Sequence, residues 1–257
     1  MEFVTYDVKN RIAFITLNRP EKRNALNYQV VSELKLAFDQ AANDESAKVI
    51  VLKANGQAFC AGADLAYLQQ LQKNTYEENL EDSAHLKDLF LQIYTLNKIV
   101  IAQIEGHAIA GGSGLAAVCD FSFAVPEAKF GYTEVRIGFI PAIVKVFLIR
   151  KIGEMRSKKL LLTGELIDAN EAAQLELINA VVSAKDMEQH ISDFCQMLIT
   201  KNSRQSMAYT KQMIAKVQSM SLEEGLTYAS EMNAKARESE DCKKGIASFL
   251  DKEPINW

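Results

Sequence analysis

"GHAIAGGSGLAAVCD", residues 106–120, is the stretch on which the reading of the whole chain turns. Gly111, Gly112 and Gly114 surround Ser113, and an apolar run follows. That is the pattern of a sharp turn opening a buried helix. Glycine lets a backbone N–H approach a ligand with no Cβ in the way. A helix starting at Gly111–Gly112 also presents unpaired N–H groups and the positive end of its dipole. "FCAGADL", residues 59–65, has the same design, and each stretch follows a short apolar run, "KVIVLKA" (48–54) and "KIVIAQIEG" (98–106). One N–H from each loop, aimed at one point, makes an oxyanion hole. Two tight turns packed on their neighbours account for the pattern as well. No GKS or GKT follows and GxGxxG is absent, so neither loop is a phosphate loop.

Outward from there, "VTYDVKNRIAFITLNRP" (4–20) alternates on both sides of Lys9–Asn10 and predicts a hairpin. "NALNYQVVSELKLAFDQAAND" (24–44) has helical spacing. Residues 65–97 are helical but polar, with "KNTYEENLEDS" (73–83) reading as a mobile insert, and "DFSFAV" (120–125) reads as a further strand. Strands alternating with helices at crossover length predict an α/β core over residues 1–180. From residue 143 the segments are helical. Gly153 and Gly164 stand where helix C-terminal glycines would, Ser221 with Glu224 fits a capping box, and residues 181–257 form a helical C-terminal region.

The chain has 257 residues, 48% apolar and 24% charged, with a net charge of −4 and no dense Lys/Arg run. A nucleic-acid footprint is not expected, although a local basic pocket for phosphates fits. The longest apolar runs are too short to span a bilayer, so no membrane partner is expected. Cys60, Cys119, Cys195 and Cys242 lack CxxC spacing and no signal-peptide pattern opens the sequence, which points to reduced thiols in the cytoplasm. His85, His107 and His190 share no ligand spacing, so no metal site is expected.

Among the carboxylates near the two loops, Glu134 lies in "FGYTEVRIGFIPA" (130–142), mainly apolar and punctuated by glycine. A carboxyl in such surroundings is desolvated and suited to acid/base work. The bland alternative is a solvated loop carboxylate. Asp64 and Asp120 read as caps or loop hydrogen-bonders. Cys60 and Cys119 have no evident base partner, so neither reads as a nucleophile.

Taken together, "LNRPEKRNALN", "FCAGADL", "IEGHAIAGGSGLAAVCDFSFA", "AKFGYTEVRIGFIPA", "LLLTGELIDANEAAQLELIN" and "GIASFLDK" resemble the enoyl-CoA hydratase/isomerase (crotonase) family over nearly the whole chain. The resemblance implies an α/β spiral of ββα units with a helical C-terminal trimerisation region, assembled as a homotrimer or a dimer of trimers. It implies an acyl-CoA substrate, with coenzyme A as part of the substrate and no separate cofactor. By position, Ala63 and Gly111 donate the two N–H groups of the hole and Glu134 is the catalytic carboxylate. Lys22, Arg23 and Ala25 match CoA contacts, and Ala61 and Leu65 surround the adenine. Tyr67 walls the acyl pocket, Ser113 helps to place water, and Gly114 and Pro141 match substrate-side positions. Phe249 and Lys252 match positions that reach CoA, often from a neighbouring subunit.

Two departures stand out. The first of the two family glutamates is replaced by Gly114, and "IPAIVKVFLIR" (140–150) stands where many members read IPGxGGTQR. The resemblance thus leaves three readings open: hydration of a short or branched 2-enoyl-CoA, as in the methylglutaconyl-CoA hydratase-like branch, 3,2-enoyl-CoA isomerisation by one glutamate, or acyl-CoA binding without turnover.

Overall fold

A computed structural model of the chain describes residues 1–255 and 257. β1 (Val4–Lys9) and β2 (Ile12–Leu17) pair antiparallel in the expected hairpin. Its turn is centred one residue later than read, with Asn10 and Arg11 at φ 53° and 63°. That doubly left-handed geometry matches the twist of the flanking strands. α1 (Tyr28–Asn43) starts at Asn27, whose side chain accepts the Val30 N–H.

A three-part unit then recurs. β3 (Val49–Ala54) joins a large sheet, β4 (Ala58–Cys60) steps into a small one, and α2 (Leu65–Leu71) and α3 (Tyr76–Thr95) follow. β5 (Ile99–Ile104), β6 (His107–Ile109) and α4 (Gly111–Val118) repeat the step. So do β7 (Phe121–Ala124), β8 (Lys129–Gly131), a 3-10 turn at Glu134–Ile137, and α5 (Val144–Thr163). β9 (Ile167–Asp168), α6 (Ala169–Gln174) and β10 (Ala180–Val181) close the spiral, before α7 (Ala184–Lys201), α8 (Arg204–Val217), α9 (Leu222–Glu238) and α10 (Glu240–Asp251). The large sheet runs β1-β2-β3-β5-β7-β10 and the small one β4-β6-β8-β9. This is the ββα spiral with a helical C-terminal region that the resemblance implied. Every residue of β5 is buried, as in a parallel sheet covered on both faces.

One local reading changes. The segment read as a mobile insert contains the start of α3. Thr75 accepts the Glu78 N–H and the Glu78 carboxylate accepts the Thr75 N–H at 2.7 Å, a capping box that orders a polar stretch. Gly153 (φ 78°, ψ 167°) breaks α5 at a kink where two helical segments meet, as a helix-terminal glycine would, and Gly164 closes the second segment in the left-handed conformation. Ser221 and Glu224 form the expected box.

Four lysines join distant parts of the chain by donating to helix C-terminal carbonyls. Lys48 bonds Ile199 and Asn202 O at the end of α7, and Lys98 bonds Ala41 and Asp44 O at the end of α1. Lys211 bonds Ile93 O near the end of α3, Lys98 O and the Asp120 carboxylate. Lys151 bonds Ala117 and Cys119 O at the end of α4. Helix ends carry unpaired carbonyls and a partial negative charge, so an ammonium satisfies both. Burial pulls Lys48 and Lys98 down to about 8. Lys98→Met keeps the stem and removes the ammonium from the Ala41 and Asp44 carbonyls. It is expected to cost about 2–3 kcal/mol, read as a lower urea midpoint at unchanged slope.

Candidate active site

The small sheet places the site. β4, β6 and β8 are parallel neighbours, so the loops leaving their C-terminal ends lie side by side. Ala63, Gly111 and Glu134 each lie within three residues of those strand ends, Cys60, Ile109 and Gly131. The first two loops touch at backbone distance. A Cβ on Gly62 would stand 2.8 Å from Ala110 Cβ and 3.6 Å from Gly111 N, and Gly62 has φ 88°. A Cβ on Gly112 would stand 2.1 Å from the Cys60 carbonyl oxygen.

Gly111 opens α4, so its N–H has no intrahelical acceptor. Ala110 before it has φ 52° and ψ −117°, a strained conformation for a residue with a Cβ. It is held by its N–H on Gly131 O at 2.7 Å and its carbonyl under the Gly114 N–H at 3.0 Å. Ala63 pairs with Leu26 in an isolated parallel bridge, in which Leu26 N–H bonds Gly62 O and Asp64 N–H bonds Leu26 O. The alternate N–H of an extended segment points the other way, so that of Ala63 faces away from Leu26.

Glu134 opens the 3-10 turn after β8. Its Oε2 is buried with no hydrogen-bond partner among the described residues. Burial holds its carboxyl above the usual carboxylate range, against the smaller opposing effect of its own N–H. A buried carboxyl with a spare oxygen is equipped to exchange a proton with whatever enters beside it. Tyr132, fully buried two residues earlier, likewise has an unpartnered hydroxyl. The sequence held only a faint signal for it, a tyrosine in the apolar segment that carries the glutamate.

Gly114 explains both departures at once. A Cβ there would stand 2.4 Å from Val144 Cγ1 and 2.7 Å from Phe90 Cε1. The place of a first carboxylate is walled by apolar atoms, one of them from the altered "IPAIVK" turn. Ser113 does not place water. Its buried hydroxyl donates to Ala108 O at 2.6 Å and accepts the Gly131 N–H at 3.0 Å, so it ties α4 to β6 and β8.

On the expected CoA side, Lys22 and Arg23 are exposed on the turn after Pro20. Arg23 O accepts the Ala61 N–H at 3.0 Å, and buried Asn24 donates to Asn55 O and Ala58 O. Arg19 pairs with Asp64 at 2.8 Å, and Asp64 caps α2. Burial raises the Asp64 carboxyl, but Arg19 and the N–H groups of Tyr67 and Ala66 outweigh it and hold it low. These ties bring Lys22, Arg23 and buried Ala25 alongside Ala61 and exposed Leu65. Tyr67 donates its hydroxyl to Asp82 of α3, and buried Pro141 leads into α5.

Phe249 and Lys252 are not brought to this loop by their own chain. Phe249 is 84% exposed on α10, which packs on α9. The Trp257 carbonyl is held by Arg11 at the start of β2, about 20 Å along the strand from the Arg19 end. Burial pushes the Cys60 and Cys119 thiols up to about 12, which excludes them as nucleophiles near neutral pH. His107 is exposed and accepts the Lys129 N–H.

Gly112→Ala forces the Cys60 carbonyl and the start of α4 apart. With the fold intact by circular dichroism, it is expected to lower acyl-CoA turnover about 100- to 1,000-fold, the usual cost of one misplaced oxyanion donor. Unchanged turnover contradicts the assignment of the hole.

The sequence profile described as Enoyl-CoA hydratase/isomerase matches residues 7–257. A Thermus thermophilus protein provisionally named an enoyl-CoA hydratase is 39% identical over 96% of this chain and 97% of its own. The Escherichia coli 2,3-dehydroadipyl-CoA hydratase is 32% identical over 95% of this chain and 94% of its own. An enoyl-CoA hydratase crystal structure from Mycobacterium smegmatis superposes with a TM-score of 0.93 at 30% identity, over 99% of this chain and 98% of that one. Two loops that meet through glycines beside the strand end that precedes Glu134, in a chain matched along nearly its whole length, identify an acyl-CoA enzyme that belongs to the enoyl-CoA hydratase/isomerase family.

Proposed function

We propose that the enzyme catalyses reversible hydration of a short or branched 2-enoyl-CoA, in the manner of the methylglutaconyl-CoA hydratase-like branch. The observation that carries this reading is the buried, unpartnered Oε2 of Glu134, one strand away from the Gly111 loop. The Ala63 and Gly111 N–H groups bind the thioester oxygen and stabilise the enolate that forms as oxygen adds at C3. Glu134 takes the proton from the attacking water and returns it to C2. The reaction needs no cofactor, since CoA is carried by the substrate. The E. coli relative's name points to the same reaction class.

Lys22 and Arg23 pair with CoA phosphates as exposed cations. Phe249 and Lys252 complete the CoA site of a neighbouring copy, which accounts for their exposure and their distance from their own loop. The assembly is therefore a trimer or a dimer of trimers. Light scattering at working concentration is expected to return a multiple of three chain masses, and a monomeric mass contradicts this assembly. No described helix is long and apolar enough to cross a membrane, and the proposed location is the cytoplasm.

The walled Gly114 position favours one rival, 3,2-enoyl-CoA isomerisation, because moving one proton needs one base. A panel of 2-enoyl- and 3-enoyl-CoA substrates separates the two readings by mass: hydration adds one water, isomerisation adds nothing. Glu134→Gln is expected to lower hydration about 100- to 10,000-fold with little change in CoA affinity. Since the base must be ionised in the free enzyme, kcat/KM falls as pH drops through the Glu134 pKa. That fall lies above the usual carboxylate range, because burial raises the group, and it disappears in Glu134→Gln. Full hydration by Glu134→Gln refutes the mechanism.

A further inference from the structure

Four buried side-chain atoms lack a hydrogen-bond partner among the described residues, and two of them, Tyr132 Oη and Glu134 Oε2, belong to residues two apart just beyond the end of β8. The Glu134 carboxylate is close enough for its charge to act on the phenol, yet the two groups form no hydrogen bond with each other. One is a donor, the other an acceptor. Buried polar groups in a folded protein normally find partners, so a donor and an acceptor left open two residues apart on one segment have the form of a site for a small molecule that both accepts and donates. Nearby alternatives are spent or absent: Ser113 is committed to Ala108 and Gly131, and Gly114 faces Val144 and Phe90.

We infer that Tyr132 and Glu134 together hold the water that adds to the double bond, with the Tyr132 O–H donating to the water oxygen and the water donating to Glu134 Oε2. This rests on the hydration reading above and supplies the second polar group that Gly114 cannot. Burial first, and the Glu134 charge second, keep the phenol protonated, so it acts as a donor throughout. A water lone pair bonds to C3, and the C2=C3 electrons move onto the thioester oxygen between the Ala63 and Gly111 N–H groups. The water proton passes to Glu134. The enolate then collapses as Glu134 delivers that proton to C2. The phenol keeps its proton, and one water has been added.

The test is Tyr132→Phe in the full chain, which keeps the ring and removes only the hydroxyl. Two reactions are followed. One is hydration of crotonyl-CoA. The other is exchange of the α-protons of butyryl-CoA with deuterated solvent, which uses Glu134 and the hole but adds no water. The expected result is a kcat for hydration lowered roughly 10- to 100-fold, with KM and the exchange rate within about twofold of wild type. Glu134→Gln, by contrast, loses both reactions. Unchanged hydration in Tyr132→Phe overturns the inference while leaving the hydration reading intact. Equal loss of hydration and exchange also overturns it, because Tyr132 then acts through Glu134 or through the fold. A wild type that exchanges α-protons but adds water to no enoyl-CoA overturns both the inference and the hydration reading.

Discussion

The site depends on one close approach, that of the Gly112 Cα to the Cys60 carbonyl. Any side chain at 112 would begin 2.1 Å from that oxygen. Because the gap is closed, the loop after β4 and the first turn of α4 lie against each other, and the N–H groups of two separate ββα units share one small volume. The approach is enforced from several sides. Gly62 packs against Ala110 and Gly111, and Ser113 ties α4 down to β6 and β8. Ala110 is held in a conformation that costs about 1–3 kcal/mol for a residue with a Cβ. Its two backbone hydrogen bonds offset that at about 0.5–1.5 kcal/mol each. The strain is thus roughly balanced locally.

Much of this was legible in the sequence, for a physical reason. The hairpin and the long helices carry six or more residues of period 2 or 3.6, and β3 and β5 are continuous apolar runs bounded by turn residues, all strong local signals. The glycines at 62, 111 and 112 were legible as sharp turns, and it was their place among several ordered motifs, rather than the glycines alone, that pointed to backbone approach. The small sheet was not. β4, β6 and β8 have three residues each, too few to show a period, yet they bring Ala63, Gly111 and Glu134 together. The lysine ties were also invisible, since a lysine in a sequence reads as surface. Lys48, Lys98 and Lys211 are buried because their acceptors, helix C-terminal carbonyls, come from segments as much as 154 residues away.

Ser113 and Tyr132 mark the limit of reading by position. A serine between the glycines of a catalytic loop invites a catalytic role, but its neighbours in space are two backbone groups that need exactly one donor and one acceptor, and a hydroxyl supplies both. A tyrosine in an apolar segment invites a packing role, but its oxygen is left with nothing to bond. In each case the deciding fact is where the hydrogen bonds go, and strands that pair across gaps of tens of residues set that.

The loss of one carboxylate and the change in the turn before α5 form a single packing event. With glycine at 114, the space beside α4 is filled by Val144 and Phe90, and a side chain at 114 would require both of them to move. The two departures are thus coupled through one packing contact. What remains sets the energetic division of labour. A donor of the hole is worth about 3–4 kcal/mol of barrier, and positioned proton transfer contributes a comparable amount. In the proposed hydration, without a second carboxylate, the hole and Glu134 would carry the chemistry between them, and the water would be held by groups that do not ionise. A buried phenol meets that requirement better than a carboxylate would. A second negative charge close to Glu134 would push its pKa further up, and less of the base would be ionised at neutral pH.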